Sequence, residues 1–119
     1  MHEMSLAQNL LEIVRQEMHK HGVERLLKVK LKTGRLTAVV PEVMATAFEA
    51  LITGTPFQGA DLEIETVPLT LACGHCRQEF SPEGDETLFY TFPCPVCGRD
   101  SGHRLLTGRE FSIEYIDAE

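Results

Sequence analysis

Residues 27–32 read Leu-Lys-Val-Lys-Leu-Lys, an alternation in which every second side chain is apolar. Successive side chains of a β-strand point to opposite faces of the sheet, so this pattern predicts a strand with one buried face and one solvated face. The segments on both sides of this strand indicate an α+β fold, with two helices on a small three-stranded mixed sheet.

An amphipathic helix is predicted before this strand, from Ser5 to about Lys20. Its apolar side chains recur at spacings of three and four residues, which places them in one stripe along the helix. Ser5 and Gln8 have the spacing of a capping box, and Gly22 suits the position just after the helix. The stripe consists of Leu6, Leu10, Ile13, Val14 and Met18.

The segment after residue 32 predicts a turn, a short strand, a helix and a further strand. Residues 33–34 are a turn signal, and residues 36–40 are expected to form the short strand. Pro41 suits the first turn of a helix that ends at Gly54. Residues 62–67 then have the pattern of the further strand. The apolar face of the helix consists of Val43, Met44, Ala47, Phe48, Leu51 and Ile52.

The composition of the chain changes at residue 68. Residues 68–107 contain all four cysteines and four of the six prolines, with few apolar side chains. So small a segment usually needs a metal ion or disulfides to stay folded. The two-residue period then returns, with Phe111, Ile113 and Tyr115 expected on one face. This pattern predicts a last strand that rejoins the first sheet, so that residues 1–67 and 108–119 form one domain and residues 68–107 an inserted one.

The chain has 119 residues and a formal net charge of −7. No apolar run approaches the roughly 20 residues that a membrane span needs, and the N-terminus lacks the basic and apolar regions of a signal peptide. We therefore expect a cytoplasmic protein without a membrane partner. A nucleic-acid-binding protein usually has a basic face, and no basic cluster is visible here, so no nucleic acid partner is expected.

The cysteines form two Cys-x-x-Cys pairs, Cys73 with Cys76 and Cys94 with Cys97, separated by seventeen residues. Two residues between cysteines allow one tight turn to direct both thiolates at a single ion, and four thiolates complete the tetrahedral shell of Zn²⁺. Four protein ligands leave no open position for an activated water, so we expect a structural zinc. A redox dithiol is the weaker alternative, because two matched pairs suit one shared metal better than two separate disulfides.

Two histidines, His75 and His103, lie close to these cysteines in the sequence. We interpret them as exposed polar residues or as donors to the sulfur atoms. The alternative is that one of them replaces a zinc ligand or forms a pH-sensitive contact, since imidazole titrates near neutrality.

The N-terminus, Met1-His2-Glu3, offers a second set of metal ligands. Bulky His2 should leave Met1 in place, so the chain presents its α-amine, the amide nitrogens of His2 and Glu3, and the His2 imidazole. Ni²⁺ and Cu²⁺ favour such tetragonal nitrogen sites, whereas zinc favours tetrahedral ones. The spacing alone leaves a simpler alternative open, in which His2 is an exposed residue and Glu3 stabilises a helix N-terminus.

Five segments together resemble the HypA/HybF family, the nickel metallochaperones of [NiFe]-hydrogenase maturation. They are MHEMSLAQ at residues 1–8, VKLKTGRLTAVVPEVMATAFEALITGTPFQGADLEI at residues 29–64, CGHC at 73–76, CPVCG at 94–98 and LLTGREFSIEYID at 105–117. The resemblance covers nearly the whole chain in the same order. It implies a nickel-binding domain that contains the N-terminus and a zinc-binding domain set into it.

The resemblance also assigns roles to residues and implies partners. His2 would be the main nickel ligand, Met1 would supply its amine, and Glu3 its amide, with the Glu3 carboxylate as a further contact to metal or partner. Cys73, Cys76, Cys94 and Cys97 would hold zinc. The implied partners are a HypB-like maturation GTPase and the large subunit of the hydrogenase, and a homodimer is possible.

Two other functions agree less well with the sequence than that of a nickel carrier. A zinc-ribbon module that binds protein or nucleic acid fits the four cysteines, but the acidic charge and the scarcity of clustered aromatic and basic residues disfavour nucleic acid. A zinc hydrolase would need an open three-ligand site or an HExxH helix, and the sequence has neither. We therefore expect a protein that is not an enzyme.

Overall fold

The computed structural model describes residues 3–82 and 92–119. Two α-helices and six β-strands are present in these residues. In chain order they are α1 (Glu3–His21), β1 (Leu26–Gly34), α2 (Pro41–Ile52), β2 (Asp61–Val67), β3 (Thr70–Ala72), β4 (Glu79–Phe80), β5 (Arg104–Thr107) and β6 (Phe111–Ala118). Neither described helix has both the length and the apolar character that crossing a bilayer requires.

The first sheet has the strand order β2-β1-β6, with β1 at its centre. Strand β1 runs parallel to β2, where Val29 lies opposite Leu62. It runs antiparallel to β6, where Lys32 lies opposite Ser112. Parallel neighbours need a long crossover connection, and α2 lies in the connection from β1 to β2. The expected α+β fold, with two helices and a mixed three-stranded sheet, is therefore confirmed.

The apolar face of β1 and the two helices form the core. Val29 and Leu31 are fully buried, together with Val14 of α1 and Met44 and Phe48 of α2. Burying one such side chain contributes about 2 kcal/mol to the free energy of unfolding. The alternation in residues 27–32 therefore places the sheet beneath one layer of helices.

The lysines of β1 lie on the opposite face of the sheet, among carboxylates of the neighbouring strands. Lys28 Nζ lies 3.0 Å from Glu63 Oε1, and Lys32 Nζ lies 2.6 Å from Glu114 Oε1. Lys30 lies between Glu63 and Glu65. Its hydrogen bond to Glu65 raises the pKa of Lys30, and the hydrogen bond from Lys28 lowers the pKa of Glu63. We call this set the lysine–glutamate face.

Helix α1 begins earlier than its sequence pattern predicts. It already includes Glu3 and Met4, so Ser5 lies inside the first turn and does not cap the helix. The capping box predicted on Ser5 and Gln8 is therefore wrong. The Glu3 carboxylate accepts a hydrogen bond from the backbone N–H of Val40, and this tertiary contact holds the first turn against the start of the second helix.

Residues 36–40 form no strand, so that prediction is wrong. Residues 35–37 form a 3₁₀ turn, and Ala38 has a left-handed backbone with φ of 58°. The Thr37 hydroxyl donates a 2.7 Å hydrogen bond to the carbonyl of Gly34. Such local side-chain bonds offer the backbone an alternative to a sheet ladder, which explains why the apolar pattern here misled.

Strand β6 joins the sheet as expected, but a bulge changes which of its side chains are buried. Ile113 lies opposite Leu31, whereas Tyr115 lies opposite Lys30, so Glu114 is an extra residue in the ladder. Ile113 therefore packs against the core, while Tyr115 is exposed. The expectation that these two side chains share one face is wrong, because a bulge reverses the alternation beyond it.

A second sheet, in the order β4-β3-β5, takes its strands from the chain between β2 and β6. The two sheets meet where Gly34 ends β1 and Gly108 precedes β6. A Cβ on Gly34 would lie 2.1 Å from the Gly108 carbonyl oxygen, so only glycine permits this approach. The Leu36 N–H donates to the same carbonyl at 2.8 Å. The division into residues 1–67 with 108–119 and residues 68–107 stays a prediction.

Candidate metal sites

The four cysteines converge at one end of the second sheet. Their sulfur atoms all lie within 4.8 Å of one another. Cys73 Sγ lies 3.5 Å from Cys97 Sγ, and Cys76 Sγ lies 3.5 Å from Cys94 Sγ. Zinc–sulfur bonds of about 2.3 Å in a tetrahedron give edges of roughly 3.8 Å, so this donor set fits one Zn²⁺.

Two similar turns position these sulfurs. In the first turn, the backbone N–H groups of His75 and Cys76 approach Cys73 Sγ at 3.4 and 3.5 Å. In the second, the Val96 N–H approaches Cys94 Sγ at 3.4 Å. In each turn a backbone N–H donates a 2.9 Å hydrogen bond to the carbonyl of the first cysteine: Arg77 donates to Cys73, and Gly98 donates to Cys94. The Cys-x-x-Cys spacing thus produces the same sulfur cradle twice.

These N–H donors favour the ionised form of the first cysteine in each turn. Hydrogen bonds from the Cys76 and His75 amides lower the pKa of Cys73 to about 6. Those from the Cys97 and Val96 amides lower the pKa of Cys94. A hydrogen bond to a thiolate stabilises its charge, which prepares these two sulfurs to bind a cation.

Cys76 shows the opposite effect. The Gln78 N–H lowers its pKa, but desolvation and the neighbouring sulfurs of Cys94 and Cys73 outweigh that donor and raise the pKa to about 12. Like charges crowded into one site cannot all ionise without compensation. A bound dication would supply this compensation, which is a second reason why the cluster fits a metal.

Neither His75 nor His103 belongs to the group of side chains that could bind one metal ion, which consists of the four cysteines. His75 Nδ1 lies 3.1 Å from Arg99 Nη1, and since a guanidinium only donates, the imidazole accepts. His103 Nε2 donates to the Arg99 carbonyl at 2.9 Å, and its ring meets Phe80 edge to face. The same Arg99 carbonyl accepts from the Cys94 N–H. Arg99 therefore links both histidines to the second turn, a role that no sequence signal indicated.

Gly74 of the first turn packs closely against the backbone of Gly102, which follows the second turn. A Cβ on Gly74 would lie 2.1 Å from the carbonyl oxygen of Gly102. Any larger residue at position 74 would push the two segments apart. Gly74 thus helps to hold the cysteine pairs at the separation that one ion requires.

At the N-terminus, the predicted nickel ligands Met1 and His2 lie outside the described residues. Glu3 begins α1 and is only 8% exposed. Its Oε2 accepts a hydrogen bond from the Val40 backbone nitrogen at 3.2 Å, and Val40 is the N-cap of α2. The first residues of both helices therefore meet at Glu3. No sequence signal indicates the role of Val40, because a backbone donor has no residue signature.

The fold and the sulfur cluster define a small α+β protein with a four-cysteine group suited to one metal ion. The protein family described as "Hydrogenase/urease nickel incorporation, metallochaperone, hypA" matches residues 1–118. A protein from Solidesulfovibrio magneticus named hydrogenase maturation factor HypA is 44% identical over all of both chains. A protein of the same name from Lawsonia intracellularis is 42% identical, again over all of both chains. The chain belongs to the HypA family.

Solved structures share this fold. The solution structure of the Ni metallochaperone HypA from Helicobacter pylori aligns with a TM-score of 0.62 at 19% identity, covering 99% of this chain and 97% of that one. Another solution structure, titled as HypA protein, aligns with a TM-score of 0.68 at 21% identity over 100% and 97% of the two chains. The resemblance expected from the sequence is therefore confirmed.

Proposed function

We propose that this protein is a cytoplasmic nickel metallochaperone that carries Ni²⁺ at its N-terminus and delivers it for [NiFe]-hydrogenase maturation. The observation that carries the proposal is the family match, which begins at residue 1 and so includes the Met1-His2-Glu3 terminus. The relatives named as hydrogenase maturation factors support it over the whole chain. The protein acts as a carrier and not as an enzyme.

The nickel ligands are the Met1 amine, the amide nitrogens of His2 and Glu3, and the His2 imidazole. Nickel must displace protons from the amine and the amides, so its affinity falls as the pH falls. These ligands belong to three consecutive residues, and an acceptor protein can remove the ion from them without unfolding the domain. Release is therefore compatible with binding that is tight enough for transport.

Glu3 has a second role in this proposal, through its carboxylate. The Glu3–Val40 hydrogen bond ties the residue behind the ligand set to the start of α2. Fixing the ligand set in advance reduces the conformational entropy that metal binding must remove. The Glu3 carboxylate thus positions the site, whereas its amide binds the ion.

Cys73, Cys76, Cys94 and Cys97 hold a structural zinc in this proposal. When bound, Zn²⁺ supplies a closed tetrahedral crosslink with no open coordination position. The backbone N–H groups of both turns stabilise the thiolates, and Arg99 braces the second turn. These contacts hold together a segment whose own apolar core is small.

The proposed partners are a HypB-like GTPase and the hydrogenase large subunit, with a homodimer as a further possible assembly. A transfer experiment tests the proposal: protein loaded with radioactive ⁶³Ni is mixed with the purified large subunit, and the label on each is counted after separation. His2→Ala should deliver little nickel. His19→Ala, which removes an exposed histidine of α1, should deliver as well as the wild-type protein. Equal delivery by both variants would contradict the proposal.

A further inference from the structure

Strand β6 forms one edge of the first sheet. It pairs with β1, and no other strand among residues 3–82 and 92–119 pairs with it. An edge strand presents a row of backbone donors and acceptors to which another strand can add. The same strand carries the exposed aromatic side chains Phe111 and Tyr115.

A groove between β6 and the last turns of α1 follows this edge, lined by apolar side chains and by the polar side chains of Glu17, His21 and Tyr115. The cavity has a volume of about 410 Å³. Its lining includes Met18, His21, Val23, Ile113, Ile116 and Ala118. Ile113 and Ile116 pack against the core yet remain only partly buried. The groove therefore exposes apolar side chains of α1 and β6, against which the apolar side chains of one more strand would pack.

The lysine–glutamate face of the first sheet indicates the charge that a strand added beside β6 would need. Carboxylates and lysines alternate across the strands there: Glu63 of β2 pairs with Lys28 of β1, and Lys32 of β1 pairs with Glu114 of β6. Asp117 lies opposite Lys28 in the ladder and so shares this face. A strand beside β6 would meet Glu114 and Asp117, and basic side chains would continue the alternation.

A second copy of β6 does not meet this requirement. Residues 111–119 contain Glu114, Asp117 and Glu119 and no basic residue. Pairing two such edges would bring carboxylates together across the new ladder, and like charges in neighbouring strands destabilise a sheet. The occupant is therefore expected to be a different chain.

We propose that the free edge of β6 and the groove beneath α1 bind an extended segment of another protein, in which basic and apolar residues alternate. The apolar side chains enter the groove, the basic side chains meet Glu114 and Asp117, and the backbones form a ladder. This mode, strand addition, draws its affinity from main-chain hydrogen bonds and its specificity from alternate side chains.

The chain itself supplies a probe with the required pattern. A capped peptide with the sequence of residues 26–33, LLKVKLKT, has apolar residues on one face and lysines on the other. The matched control peptide has glutamate in place of each lysine. Amide NMR spectra of the full chain, recorded with zinc, follow the titration of each peptide.

The lysine peptide should shift amide signals of residues 111–118 and of the last turn of α1. Asp117→Lys should weaken the binding of the lysine peptide by up to roughly fivefold, which is the upper end of the range for one exposed charge pair. Glu49→Lys makes the same charge change on the exposed face of α2 and should leave binding unchanged.

Three results would overturn the proposal. The first is equal binding of the glutamate peptide, and the second is a lysine-peptide footprint confined to other strands. The third is sedimentation of the wild-type protein as a dimer that Asp117→Lys disrupts, because a second copy would then occupy the edge.

Discussion

The Glu3 carboxylate lies 3.2 Å from the backbone nitrogen of Val40, so the first residue described in α1 is bound to the N-cap of α2. Glu3 is buried, although carboxylates are usually found in water. The contact therefore links the stability of the helix layer to the position of the chain terminus.

Glu3→Ala should lower the free energy of unfolding by about 2 kcal/mol, because it leaves the Val40 N–H without its charged acceptor. Glu3→Gln keeps an acceptor oxygen and should lose less. Urea unfolding followed by far-UV circular dichroism measures both. Glu49→Ala removes an exposed carboxylate of α2 and should stay within about 0.5 kcal/mol of wild type. A Glu3→Ala protein as stable as that control would show that the hydrogen bond does not anchor α1.

Cys94→Ser should abolish stoichiometric zinc binding and unfold residues 68–107, while α1 remains helical. The serine hydroxyl is a poor replacement for a thiolate held by backbone N–H groups. Zinc content by mass spectrometry and amide NMR spectra report the two effects. His75→Ala is the matched control, since His75 contacts Arg99 and should leave one zinc per chain. Native signals for residues 68–107 in metal-free Cys94→Ser would contradict the structural role of zinc.

The Lys32–Glu114 pair should contribute stability over a limited pH range. The hydrogen bond that Lys32 donates to the Glu114 carboxylate lowers the pKa of Glu114 below the ordinary value of 4.5. The Glu114 carboxylate therefore binds a proton less readily in the folded state than in the unfolded state. The contribution of the pair to the free energy of unfolding is complete above the pKa that Glu114 has in the unfolded state. It is lost as the pH falls through the lower pKa that Glu114 has in the folded state.

The same pair behaves in the opposite way at high pH. Glu114 raises the pKa of Lys32 above 10.5, so its contribution is complete below that value and is lost as the pH rises through the raised folded pKa. A double-mutant cycle with Lys32→Ala and Glu114→Ala should give favourable coupling at pH 7 that declines as the pH falls below 4.5 and the carboxylate of Glu114 becomes protonated. Coupling that stays constant while Glu114 becomes protonated would mean that charge does not hold the pair together.

The sequence predicted what depends on periodicity and ligand spacing. Residues 27–32 indicated the central strand, because one solvated face requires alternation. The Cys-x-x-Cys pairs indicated a shared ion, and the four sulfurs do meet. These features are local, so they remain visible in a linear sequence.

Other features of the fold have no periodicity or residue spacing in the sequence that would predict them. The bulge at Glu114 reversed the faces of β6. Thr37 converted an apolar stretch into a turn through its hydroxyl. Val40 binds Glu3 through its backbone, and Gly34 approaches the carbonyl of Gly108 because Gly34 has no side chain. Each of these features depends on where a backbone group lies in the folded chain, which residue identity alone does not convey.

Nickel binding at the chain terminus can be measured by a calorimetric Ni²⁺ titration of the zinc-loaded protein. The wild-type protein should bind one Ni²⁺ per chain. His2→Ala and a variant with one alanine added before Met1 should each bind at least about tenfold more weakly, because each disrupts the proposed ligand set. His19→Ala should match the wild-type protein. Equal nickel affinity in all four proteins, with zinc retained, would contradict the account.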